Sequence, residues 1–279
     1  MVRIATLTFA LFLGIYAQAQ FNFNTDKFID NLIGDVRSDR PGNSMSALTC
    51  GFVTLQVQSG YRFQRWNDPL FDGSYTNRMF VPTDIKIGLS NNLEINTTFT
   101  HESFKAYDAT FDNTVSDGSM NSPLLGVRYS FLKGRKWVPT MALQSRVKFR
   151  RESMGQNNYG AEFILATLND FGKLDILMNF GLVYPGFGNG PVFPAIFNVS
   201  YNLGKTTIFA EGNYEFQWGE HVVDAGLSVN IGRDFVLDFY GGVIDGFSAD
   251  HWFAEAGFTY RFSFMKMMAK KKADEFFKK

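Results

Sequence analysis

The 279-residue chain has one cysteine, Cys50, so no disulfide forms within it and no cysteine-rich metal site exists. Its three histidines, His101, His221 and His251, are too scattered to propose a metal site. Charge is scarce: 27 Lys and Arg balance 27 Asp and Glu, 19% of residues are charged, and the formal net charge is zero. Without a basic excess, a nucleic-acid partner is not expected. Beyond the N-terminus no apolar run reaches the roughly 18 residues a membrane-spanning helix needs. Phe and Gly, by contrast, are abundant, at 31 and 26 residues, and 45% of the chain is hydrophobic. That combination fits neither a disordered chain nor an ordinary soluble enzyme.

Residues 1–19 read as a secretory signal peptide. Arg3 supplies the positive start, Ile4 to Tyr16 the short apolar core, and Ala17-Gln18-Ala19 the cleavage site. The alternative is a buried N-terminal helix. Cleavage would leave Gln20 first, with Cys50 too far away to anchor a lipid.

The rest of the chain alternates. From Ala254 to Phe264, Ala254, Ala256, Phe258, Tyr260, Phe262 and Phe264 share one parity, and Glu255, Gly257, Thr259, Arg261 and Ser263 the other. Period two means a strand with one apolar and one polar face. Twelve such segments centre on residues 52–63, 79–89, 93–101, 123–131, 137–149, 159–168, 173–184, 192–202, 206–216, 222–231, 235–243 and 252–264. Most have the length a tilted strand needs to cross a bilayer, about 9–13 residues. Tight turns follow the even strands: Ser90-Asn91-Asn92, Lys133-Gly134-Arg135, Asp170-Phe171-Gly172, Leu203-Gly204-Lys205 and Gly232-Arg233-Asp234. Generally longer loops follow the odd strands, the longest from Glu102 to Ser122.

An even strand count with short turns on one side predicts an all-β fold, a transmembrane antiparallel up-and-down barrel of about 12 strands at residues 48–264. Trp137, Phe131, Phe235, Tyr201, Phe262 and Phe264 would form one aromatic girdle; Tyr61, Phe99, Phe149, Tyr184, Phe193, Phe216 and Trp252 would form the other. A soluble barrel, with its polar face outward, is the rival fold. Residues 20–47 precede the barrel as a periplasmic or plugging segment. They include a short expected helix, Thr25 to Asp35, with Phe28, Ile29, Leu32 and Ile33 on one side. Its stripe would seek the inner wall bearing Phe209, Leu177 and Phe253. Residues 265–279 form a lysine-rich periplasmic tail.

Several stretches resemble a known family. Ser38-Asp39-Arg40-Pro41-Gly42, followed by a strand reaching Gly60-Tyr61, is similar to the opening of the MetA-pathway phenol-degradation outer-membrane proteins. Ile85 to Asn96, Ser122 to Trp137 and Gly257 to Phe262 also resemble that family, and the likeness spans roughly residues 34–264. It implies an outer-membrane barrel of a Gram-negative bacterium that passes small, aromatic or apolar, compounds. The lysine-rich tail departs from the usual ending, in which the last strand closes the chain.

With the apolar parity assigned to lipid, the lumen would hold Arg128, Arg146, Lys148, Glu162, Asp175, Glu211, Glu215, Asp224, Asp238, Glu255 and Arg261. The basic residues on the fourth and fifth strands would then face an acidic wall across the lumen. Such walls would either orient polar solutes or pair and plug the barrel. One enzyme-like constellation is present: His101 and Ser103 on one outward face, with Asn121 as a third group, similar to outer-membrane phospholipase A. The flanking sequence lacks that family's pattern, so a girdle histidine beside a loop serine is the simpler reading and no catalytic residue is expected. No cofactor or metal is implied. The longer loops carry an acidic excess and the tight turns a basic one, which would suit anionic lipid head groups. The expected function is a channel for small solutes in outer-membrane lipid, with a closed structural barrel and a membrane lipase as alternatives.

Overall fold

The computed structural model describes residues 36, 38–39, 42–67, 73–120, 123–151, 157–186, 190–217, 219–245 and 250–264. The expected signal peptide, the helix at 25–35, the tail from 265, Arg40 and Pro41 lie outside the described residues.

The strands are β1 (Thr54–Asn67), β2 (Tyr75–Gly88), β3 (Leu93–Asp108), β4 (Asn113–Met120), β5 (Leu124–Leu132), β6 (Thr140–Arg151), β7 (Asn157–Asp170), β8 (Leu174–Tyr184), β9 (Pro194–Asn202), β10 (Thr206–Glu215), β11 (His221–Asn230), β12 (Phe235–Ile244) and β13 (His251–Ser263). Every pairing is antiparallel and joins successive strands, except that β3 pairs with β5 as well as with β4 and that β1 pairs with β13. The sheet therefore closes on itself through twelve strands, and β4 is added outside that ring on the far half of β3. Closure leaves no unpaired edge within the ring, which a sheet in hydrocarbon requires.

Burial alternates along each strand in the sense opposite to a soluble protein. Ile87, Ile95, Leu125, Val127, Leu143 and Phe163 are exposed, whereas Gln56, Lys86, Glu94, Arg128, Gln144 and Asp238 are buried. Apolar side chains thus face out and polar ones in. This arrangement excludes the soluble barrel and suits lipid outside. Three of the tight turns close on glycines at positive φ, Gly172 at 93°, Gly204 at 98° and Gly232 at 76°, where any other L residue would be strained.

Two sequence expectations change. The long loop from Glu102 to Ser122 is largely strand: β3 continues to Asp108, turns, and returns as β4. This hairpin extends beyond the length needed to cross the bilayer, so neither face had to be apolar, and the lipid-facing alternation that marks the other strands is missing from its sequence. At the other end, β1 begins at Thr54 rather than at residue 48 or 52. The chain just before it does not belong to the wall.

A candidate pore with an inner segment

The described residues between Val36 and Val53 lie inside the ring, as their bonding to opposite walls shows. The Asp39 carboxylate is bonded by the Lys86 ammonium of β2 and by both terminal nitrogens of Arg128 on β5. On the far side, the backbone N–H groups of Asn43 and Ser44 donate to Glu211 of β10 at 2.6 and 3.1 Å. The Met45 N–H donates to Asn179 Oδ1 of β8 at 2.6 Å, and Asn179 Nδ2 returns a bond to the Met45 carbonyl at 2.9 Å. The Cys50 N–H donates to Glu94 of β3 at 2.8 Å. Ser38 bonds Thr259 of β13 at 2.6 Å. Only a chain crossing the lumen reaches β2, β5, β8, β10 and β13 within so few residues.

This conformation follows from composition. Residues 42–50, Gly-Asn-Ser-Met-Ser-Ala-Leu-Thr-Cys, are mostly small and have neither helical nor strand period, so their backbone groups need partners from elsewhere. Wall carboxylates and amides supply them. Gly42 sits at φ 99°, where any other L residue would be strained, and a Cβ there would also push on Glu211 Oε2, 2.8 Å away, the oxygen that accepts from the Ser44 N–H. Met45 and Ala47 pack on Ala142 and Ala166, with Ile164 and Leu168 beside them.

Much of the charge in the lumen is compensated locally. Arg62 pairs with Glu255 at 2.5 Å, Arg146 with Glu162 at 2.6 Å, Arg128 with Glu94 at 3.4 Å and Arg261 with Asp234 at 2.7 Å. The expected acidic wall is present on β10 and β11, where register sets Glu211 opposite Asp224, but no bare basic wall faces it, because Arg128 and Arg146 are paired. Cross-strand register puts Arg146 opposite Glu162 and Glu94 opposite Arg128, so these two arginines meet an anion next door. Burial pushes the Asp39 carboxyl up, but Arg128 and Lys86 outweigh it and hold it well below the usual carboxylate range. Burial, with Glu94 beside it, pushes the Cys50 thiol up to about 11, which keeps it protonated and unreactive.

The remaining candidate residues fall as follows. Glu211, Asp224, Asp238, Glu255, Arg128 and Arg261 are buried, with Arg261 turned to the tight-turn end through Asp234. Arg146, Lys148, Glu162, Asp175 and Glu215 are half-buried. Asp224 accepts a 3.4 Å bond from Asn43 Nδ2. Asp39 and Gly42 both belong to the inner segment. The sequence reading passed over Arg62, Asp84, Lys86 and Glu94 on the first three strands. The parity rule that found the others would have found them, since they share their strands' inner parity with Gln56, Gln58 and Asn96.

On the loop side of the segment is a cavity of about 210 Å³ lined by Arg62, Asp84, Thr98, Arg146, Tyr240 and Glu255, among others. One flank of the inner wall is aromatic: Phe209, Tyr240 and Phe253 cluster with Val222 and Ile244, and the Arg62 guanidinium lies 4.8 Å from the Phe253 ring. Leu177 is not part of this cluster. His101 is exposed and shares its outward face with Ser103, while Asn121 lies outside the described residues.

Residues 38–262 match the family described as "Putative MetA-pathway of phenol degradation". No curated protein matches the chain. Among solved structures, the COG4313 outer membrane channel from Pseudomonas putida F1 matches with a TM-score of 0.57 at 9% identity, covering 80% of this chain and 99% of that one. The CymD monoaromatic hydrocarbon channel gives 0.48 at 8% identity, over 84% and 98% of the two chains. The Salmonella typhi outer membrane phospholipase gives 0.43 at 10%, over 79% and 94%. The first of these likenesses establishes a shared outer-membrane barrel fold.

Proposed function

The chain belongs to the phenol-degradation family whose model spans it, and from that premise we propose that it is an outer-membrane channel for small solutes, aromatic ones among them. The observation that carries this reading is the cavity of about 210 Å³ left above the inner segment, in a lumen whose wall is polar on one flank and aromatic on the other. Small barrels fill their interior with side chains and larger ones enclose a passage, and the space left inside this twelve-stranded ring supports the second case. The family's description supports an aromatic solute, and the Phe209, Tyr240 and Phe253 cluster gives a ring somewhere to rest. The inner residues Arg128, Arg146, Lys148, Glu162, Asp175, Glu211, Glu215, Asp224, Asp238, Glu255 and Arg261 line the passage and tune what enters. Residues 36–53 restrict it from the tight-turn end, which faces the periplasm in this reading. Secretion is by a cleaved signal peptide, residues 1–19, with both mature termini periplasmic. We take the protein not to be an enzyme: His101 and Ser103 sit on the outward face at the far end of β3, which suits a girdle histidine beside a polar neighbour.

A second reading has support of its own. The inner segment is bonded to strands all round the ring, β2, β3, β5, β8, β10, β11 and β13 among them, and a segment so fixed suits a closed structural barrel. Single-channel recording of the refolded protein in planar bilayers separates the two. Discrete openings that depend on solute size are expected. A barrel that is intact by its heat resistance on a gel yet electrically silent would overturn the channel.

A further inference from the structure

At the loop end the two faces of the wall exchange character. Along β3 the outward positions Leu93, Ile95, Thr97 and Phe99 give way to His101, Ser103 and Lys105. Outward positions on β1 and β2 run likewise through Arg65, Asn67 and Asn77, and among the described residues only the rim pair Tyr75 and Tyr107, with ring centroids 5.5 Å apart, adds aromatic surface there. The outer face of this extension meets water, not lipid. Its inner face goes the other way. Register sets Trp66 opposite Thr76, Thr76 opposite Ala106, and Ala106 opposite Val115, so these stand side by side across four strands. Phe111 joins them from the β3–β4 turn. Trp66 is 39% exposed, Val115 55% and Phe111 78%.

Lipid explains exposed apolar side chains on the outward parity lower down, but it explains none of these. They line a cavity of about 620 Å³, within the size range of small-molecule sites. The Trp66 ring stacks against His251 with centroids 3.9 Å apart, which fixes the indole while leaving it on the cavity wall. Arg78 also lines the cavity, its side chain is half exposed, and Glu102 approaches it only to 4.0 Å. Asp108 lies there too, but its Oδ1 is engaged by the Thr110 N–H at 2.8 Å and the Phe111 N–H at 3.4 Å. The cavity thus offers aromatic faces, one cation with coordination to spare in Arg78, and one carboxylate, Asp108, whose Oδ1 is held by the turn's own N–H groups.

We propose that this inner face docks a small planar aromatic acid, its ring against Trp66 and Phe111 and its acid group on Arg78. An aromatic ring offers a solute ring a flat apolar partner, and a guanidinium takes a carboxylate through two parallel N–H bonds. The proposal rests on the channel reading in that a solute held here waits at the mouth.

Benzoate binding to the full-length protein in detergent, followed by calorimetry and saturation-transfer NMR, tests it. Wild type should bind benzoate one to one. Trp66→Ala and Phe111→Ala should each weaken it by roughly tenfold or more. Arg78→Gln should weaken benzoate similarly while leaving neutral toluene unchanged, and the non-planar cyclohexanecarboxylate should bind about tenfold less well. Phe111 lies in a turn, so its variant keeps the test valid if Trp66→Ala fails to fold. Undiminished benzoate binding in Phe111→Ala, or equal binding of the two acids, overturns the site. A silent bilayer with benzoate binding intact would sink the channel and spare the docking site; conductance without binding would do the reverse.

Discussion

A carboxylate at position 39 meets Lys86 and Arg128 inside the lumen, and those cations lose it if the side chain becomes neutral. Removing one partner of a buried pair costs about 3–5 kcal/mol, because the partner left behind stays desolvated. Asp39→Asn should therefore loosen the inner segment while the barrel remains heat-resistant. Protease cleavage within residues 38–50 and the open-pore current should both rise; unchanged values would mean the Glu211 and Asn179 contacts suffice. The pH dependence follows from the sign. Asp39 titrates lower in the fold than in the open chain, so its contribution is complete above about pH 4 and is lost only as pH falls below that. Current recorded from pH 8 down to 5 should show no loosening of the segment; a transition near pH 6 would assign the latch to another group. Parity gives a second residue-scale test. Leu143 is 47% exposed on the outward face, and arginine there should cost roughly 2–4 kcal/mol near the bilayer midplane and impair assembly. Arg146→Ala should assemble normally and shift ion preference. Equal tolerance at the two positions would mean the strand is misplaced. The ion pairs themselves were not legible in the sequence, since Arg146 meets Glu162 only through the β6–β7 register.

Elements that cross the bilayer were legible because hydrocarbon forces one face of each strand to be apolar, and all twelve stand where the alternation put them. Two elements escaped for the same physical reason in reverse. The β3–β4 hairpin leaves the bilayer, so nothing imposes period two on Ser103 to Met120. The inner segment takes its hydrogen bonds from wall side chains, so residues 42–50 carry no secondary-structure period at all. Its bonding also decides which truncation matters. Every contact described for it falls at or after Val36, whose N–H donates to the Arg233 carbonyl at 3.0 Å. Deleting residues 22–35 should leave conductance near wild type, whereas deleting 38–50 should raise it severalfold. Lys86, Glu94, Arg128 and Glu211 would then be left to water, which an opened lumen supplies. Conductance that rises with the first deletion alone would place the restriction upstream of the residues described.

For the whole molecule the open question is which way the barrel faces, and the two ends differ enough to answer it. One end closes in tight turns bearing Lys133, Arg135, Lys136, Lys173, Lys205 and Arg233. Trp137 packs edge-on against Phe171 there with centroids 5.1 Å apart, a pair suited to the membrane interface. The other end rises past the bilayer as the β1–β4 extension, its outward face bearing Arg65, Asn77 and Lys105. Barrels of this class keep short turns on the periplasmic side and longer loops outside. An even number of ring strands returns the chain to the side it started from, and the segment ahead of β1 enters from the tight-turn end. We therefore expect both mature termini in the periplasm and the β3–β4 turn at the cell surface. An epitope inserted between Ala109 and Asp112 should be tolerated, because that turn is exposed and lies outside the ring, and it should bind antibody on intact cells. The same epitope between Lys133 and Lys136 should stay hidden until the outer membrane is permeabilised. Labelling of the second site alone on intact cells would invert the barrel, and with it the side from which a solute reaches the Trp66 and Arg78 cavity.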